Sequence, residues 1–162
     1  NIDVAIRLTS AATIYFERLN ETAKLAFYDE MITSFANAIS VNTTRLSMQK
    51  RYQNDGSARE PWPILFRVTL VAAQDSNEIS TREMFASLSA LVTNKSITSL
   101  MFYNSTASLD SEFGVMELKF YGNDNFHNWA RQNVVASSIF IVLSYCDIEA
   151  LDFVSSDISN SS

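Results

Sequence analysis

The chain has 162 residues, a mass of 18.2 kDa and a net charge of −6, with 47% apolar and 19% charged residues. That length suits one domain with its own core, and the composition argues against disorder. The acidic balance disfavours nucleic acid and anionic membrane as partners, because both repel a surface of like charge.

At the start of the chain Ile2, Val4, Ile6 and Leu8 alternate with Asp3, Ala5 and Arg7, which is the period of a half-buried strand. Leu25, Tyr28, Ile32, Phe35 and Ile39 then step by three and four along a helix. Asn20 or Thr22 offers a cap for its final stretch, and helix begins as early as Ser10. Alternation resumes with Leu46, Met48 and Tyr52 against Arg45, Ser47, Gln49 and Arg51. Gln53 to Pro63 carries Asn-Asp-Gly-Ser and two prolines, so it reads as a loop. Ile64, Phe66, Val68 and Leu70 make the next strand, with Leu65, Arg67, Thr69 and Val71 on its other face.

Ser80-Thr81-Arg82-Glu83 is a capping box that opens a second helix, whose apolar face is Met84, Phe85, Leu88, Leu91 and Val92. Asn94 to Phe113 reads as irregular, with a short edge strand over Leu100 to Tyr103. Met116, Leu118 and Phe120 against Glu117 and Lys119 form the last strand. The order βαββαβ is the split βαβ arrangement of ferredoxin-like folds. It predicts an α+β domain over residues 2–121, a four-stranded antiparallel sheet with two helices on one face. The opposite face is then the wetter one, with Arg7, Arg45, Arg51 and Arg67 at outward positions.

Residues 122–162 fall outside that scheme as a C-terminal extension. It holds the nearly apolar run Val134 to Cys146, interrupted by Ser137, Ser138 and Ser144, and a helical pattern from Asp147 through Ile148, Leu151 and Val154. The run is shorter than the roughly 20 residues of a membrane-crossing helix. A first residue that is Asn1 rather than Met reads as a fragment or a processed product.

Chemistry-bearing motifs are sparse. The glycines Gly56, Gly114 and Gly122 are too far apart for a P-loop or a dinucleotide turn. His127 and Cys146 are the sole histidine and cysteine, which gives no transition-metal spacing and no intrachain disulfide. The acidic pairs Asp29/Glu30, Asp110/Glu112 and Asp147/Glu149 fit surface, loop and helix-start roles. RNA-recognition domains share the element order, but they stack bases on outward aromatics of the central strands. Here the outward series of the third strand is Leu65, Arg67, Thr69 and Val71. No cofactor, metal or catalytic set is expected.

The positive signal is five Asn-X-Ser/Thr sequons, starting at Asn20, Asn42, Asn94, Asn104 and Asn160, against about two or three by chance. Asn42, Asn94 and Asn104 fall at predicted loops or element ends, where a glycan projects freely.

The run Phe35-Ala-Asn-Ala-Ile-Ser-Val-Asn-Thr-Thr-Arg-Leu-Ser-Met48 joins a helix ending to a strand opening with Arg-Leu. Together with Gly56-Ser57, the strand Ile64 to Val71 and the helix Ser80 to Val92, it resembles extracellular SEA and SEA-like modules over roughly residues 2–121. The resemblance implies a non-catalytic, membrane-proximal module that spaces, adheres or senses, with a protein or glycan partner. It also implies a signal peptide before Asn1 and a membrane segment after Ser162. Self-cleaving members follow their Gly-Ser directly with valines in a strained turn. Gly56-Ser57 is followed instead by Ala58-Arg59-Glu60 and two prolines, so no autoproteolysis is expected. Two other readings stay open: an intracellular α+β interaction or assembly domain, and a small enzyme that holds an anion with Arg and Asn.

Overall fold

A computed structural model describes residues 1–119. The strands are β1 (Ile2–Arg7), β2 (Leu46–Met48), β3 (Gln53–Asn54), β4 (Ile64–Leu70) and β5 (Val115–Leu118). The helices are α1 (Ser10–Glu17), α2 (Glu21–Ile39), α3 (Thr81–Thr93) and the single turn α4 (Asn104–Ala107). The fold is α+β, with an antiparallel five-stranded sheet in the order β2-β4-β1-β5 and β3 added beside β4. This is the ferredoxin-like arrangement, with its edge strand broken in two.

The break has a local cause. Met48 pairs with Val68 and Gln53 with Leu65, so the edge takes five residue steps while β4 takes three. The surplus residues leave the ladder, and alternation cannot run on from Met48 to Tyr52. Gln53 and Asn54, read from sequence as loop, belong to the sheet; the loop begins at Asp55 and contains the cis Glu60–Pro61 bond.

The helical region divides where its caps demand. Thr9 and Asn20 each accept a backbone N–H, from Ala12 and Ala23, and so start separate helices. Capping at Ser80 is the reciprocal box read from sequence. Val4, Ile6 and Leu8 of the first strand region, Ile64, Phe66, Val68 and Leu70 of β4, and Phe35, Met84 and Leu88 of the helices fill one core. Phe16 sits at its centre, edge-on to Phe27, Tyr28, Tyr52 and Phe66 at 5.1–5.7 Å. Burial there, with smaller contributions from Tyr52 and Glu21, pushes the Tyr28 hydroxyl up to about 12.

Two expectations fail on side-chain accounting. Arg45 is no outward strand residue: it ends a 3-10 turn, Thr43–Arg45, and is buried at 4% exposure. Its guanidinium donates to the carbonyls of Val71 and Ile79 and to the Glu78 carboxylate, each at 2.9 Å. A planar fork satisfies several orphan acceptors at once, which offsets its own desolvation. The edge strand expected over Leu100 to Tyr103 is a 3-10 turn, Ser99–Phe102. The Leu100 carbonyl is satisfied by the Thr106 hydroxyl at 2.6 Å instead of by a neighbouring strand.

β5 also faces the opposite way from an ordinary amphipathic edge. Met116 and Leu118 pair with Ala5 and Asp3 on the sheet face away from the helices. Glu117 turns toward the helices, and Arg82 of α3 donates to it at 2.8 Å.

Candidate functional site

The four sequon asparagines within the described residues are all exposed, and each sits at the end of a helical element. Asn20 caps α2 through Oδ1, which accepts from the Ala23 N–H at 2.9 Å. Asn42 caps the 3-10 turn in the same way, accepting from the backbone and hydroxyl of Thr44. In both, the capping atom is the amide oxygen, so Nδ2, the nitrogen that takes a glycan, is not spent on the cap. Asn94 differs: its Nδ2 donates to the Ala90 carbonyl at 2.9 Å. Glycosylation replaces one of that nitrogen's two hydrogens, and the other still serves this bond. Asn104 opens α4. Asn20 and Asn42 lie beyond opposite ends of α2, about 28 Å apart along its axis. Asn160 lies outside the described residues.

Asn94 and Asn104 bracket a feature that the sequence reading passed over as irregular. Ile97 is 87% exposed and Phe102 83%, with Met101 and Tyr103 also exposed beside them. These side chains project from two consecutive 3-10 turns, Lys95–Ile97 and Ser99–Phe102. The turns are anchored from beneath. Leu100 is fully buried, and the Ser105 N–H donates to Glu30 of α2 at 2.9 Å. The Lys95 ammonium donates to the carbonyls of Ala107 and Leu109. Burial lowers the Lys95 pKa, and Asp110 only partly opposes that. The apolar side chains therefore stand on a tied base, as an apolar knob. The signal in the sequence was Leu100-Met101-Phe102-Tyr103, a contiguous apolar run at neither strand nor helix spacing.

At one end of the sheet, Arg7 lies between two carboxylates, 2.7 Å from Asp55 and 2.8 Å from Asp110, with its guanidinium over the Phe113 ring at 4.7 Å. Burial opposes the charge on Asp110, but the Arg7 guanidinium and the N–H groups of Phe113 and Glu112 outweigh it and hold the carboxyl below its usual range. This cluster ties the loop after β3 to the turn before β5. Asp55 also accepts from the backbone and hydroxyl of Ser57. Positive φ occurs among the described residues at Ser40 and Gly114, and Gly56 does not share it.

The acidic pairs read from sequence take different partners. Asp29 meets Lys50 at 3.2 Å, Glu30 accepts from Ser105, and Asp110 belongs to the Arg7 cluster. Asp147, Glu149, His127 and Cys146 lie outside the described residues. Among the described residues no group of His, Cys, Asp and Glu is placed to hold a metal ion, and no helix is long and apolar enough to cross a membrane.

Comparison of the chain with protein-family models, curated proteins and solved structures finds no match in any of the three.

Proposed function

We propose that this chain is a non-catalytic, extracellular, membrane-proximal module of a larger glycoprotein, similar to SEA-like domains, that spaces, adheres or senses. The observation that carries the reading is the placement of Asn20, Asn42, Asn94 and Asn104: exposed, at element ends, with their helix-terminal hydrogen bonds compatible with a glycan. The partner in this reading is a protein or a glycan, and neither nucleic acid nor a small-molecule cofactor takes part.

Passage through a eukaryotic secretory pathway tests it. A soluble product that loses mass with N-glycosidase, with glycans mapped to Asn42 or Asn104, is the expected outcome. A retained, aggregated or unmodified chain refutes it.

A second reading, an intracellular protein-interaction or assembly domain, is favoured by the apolar knob of Ile97 and Phe102. Large side chains so exposed on an anchored turn suit a partner's pocket. A mass in solution that rises with concentration in the unglycosylated protein supports this reading, and a strict monomer weakens it.

A further inference from the structure

Among the four sequons within the described residues, the one at Asn104 is built differently at its third residue. Thr22, Thr44 and Ser96 supply the hydroxyls of the sequons at Asn20, Asn42 and Asn94, and all three are exposed together with their asparagines. At Asn104 the asparagine is exposed, but Ser105 and Thr106 are both at 0% exposure. The Thr106 hydroxyl donates to the Leu100 carbonyl at 2.6 Å, and the Ser105 N–H donates to Glu30 of α2 at 2.9 Å. The backbone is closed as well, since the Asn104 carbonyl accepts from the Ser108 N–H at 3.2 Å and from its hydroxyl at 2.6 Å. Just beyond, the Thr9 N–H donates to the Ser108 carbonyl and Leu8 bridges Leu109, which ties this turn to the first strand region.

We propose that folding closes the Asn104 sequon, so that Asn104 accepts a glycan only while the chain is unfolded, whereas Asn42 still accepts one after folding. The inference rests on the glycoprotein reading above and concerns when its sites are used. In N-glycosylation the Asn Nδ2 bonds to C1 of a lipid-diphosphate-linked oligosaccharide. The C1–O bond to the diphosphate breaks, and Nδ2 gives up one proton to a base on the transferase. A sequon requires Ser or Thr at its third position, so the transferase reads that hydroxyl. The Thr106 hydroxyl is buried and already spent on Leu100, and it is reached only by opening α4 and the turn beneath it. Asn104 is made before β5, the partner of β1. At about 5–20 residues per second the chain needs on the order of a second to reach Leu118. Mixed α/β domains fold in roughly milliseconds to seconds, so transfer and folding compete on one timescale. That competition sets the state of the apolar knob. A chain glycosylated first carries a sugar two residues from Phe102, and a chain folded first keeps Ile97 and Phe102 bare at this site.

Transfer in vitro to the full 162-residue chain, made unglycosylated in bacteria, tests the proposal. The folded chain and the double variant Phe16→Asp, Phe66→Asp are each given a purified eukaryotic-type oligosaccharyltransferase and a lipid-diphosphate-linked oligosaccharide. Both phenylalanines are fully buried and lie outside every sequon, so the two charges unfold the chain, verified by loss of its near-ultraviolet circular dichroism. Transfer to Asn104, mapped by peptide mass, should be slower in the folded chain by about 10-fold or more, with a difference under about 3-fold at Asn42. A smaller slowing at Asn104 overturns the proposal. Equal slowing at Asn42 overturns it too, because the block then belongs to folding at large and not to the burial of Thr106. Enzyme and sugar donor are supplied, so the result does not depend on whether this chain enters a secretory pathway. Cells that secrete the chain unmodified refute the glycoprotein reading, whereas ready transfer to Asn104 of the folded chain refutes this inference.

Discussion

Arg45 shows how far a single side chain can depart from its pattern. In sequence it stands at an outward strand position. In the fold it turns inward, where Val71, Glu78, Ile79 and the Met84 sulfur surround its guanidinium. Arg45→Ala leaves two carbonyls without their donor and should cost about 2–4 kcal/mol, read as a lower urea midpoint at unchanged slope. Arg45→Lys should recover less than half of that, since one ammonium cannot span the same acceptors. The ion-paired carboxylates set a pH dependence. Burial opposes the charge on Asp3, but Arg67 and Thr69 outweigh it and hold the carboxyl below its ordinary value, as Arg7 does for Asp110. A depressed folded pKa contributes stability above the unfolded value that is lost as pH falls through the folded one. The urea midpoint should therefore drop steeply below about pH 4, and Asp3→Asn should flatten part of that slope.

At the scale of elements, helix boundaries follow caps that are legible in the sequence. Thr9, Asn20 and Ser80 all do what their residue types suggest. The exit of α2 is less comfortable. Ser40 holds a left-handed conformation, φ 57° and ψ 46°, that costs a β-carbon clash glycine avoids. Ser40→Gly should therefore raise stability by about 0.5–1 kcal/mol, although glycine in a helix interior usually lowers it. A higher melting temperature at equal enthalpy is the check. The segment between α3 and β5 was opaque for a physical reason. Its two 3-10 turns are held by the Lys95 ammonium, the Thr106 hydroxyl and the Glu30 carboxylate, partners up to 75 residues distant. No periodicity marks such a segment, because its backbone bonds close short successive turns and its anchors are distant side chains rather than a ladder.

For the whole molecule, the apolar knob is the part of the surface most open to a partner. Ile97→Ser with Phe102→Ser should shift stability by under about 0.5 kcal/mol, since both side chains are solvated already. Sedimentation should show any self-association weakened by that pair. In secreted protein, a glycan at Asn104 would stand two residues from Phe102 and shield it. Asn104→Gln should then raise retention on a hydrophobic column, and unchanged retention would separate the glycan from the knob.

The order of the main strands and helices, the two sheet-facing series of β4, the caps at Asn20 and Ser80 and the sequon positions were determined by the sequence alone. Each depends on local spacing and on residue chemistry within a few positions. What the tertiary structure decided was where side chains with two uses go. Arg45 went inward because orphan carbonyls from β4 and the α3 approach converge on it. Met116 and Leu118 went to the second face, where they pack with Ala5 and Leu65, while Val115 packs against the main core and Glu117 meets Arg82 on the helix side. A one-residue choice of facing reverses every side chain of a strand, and in β5 the choice made puts Val115 against the main core and Met116 and Leu118 in the second cluster, packing that forms only in the folded sheet.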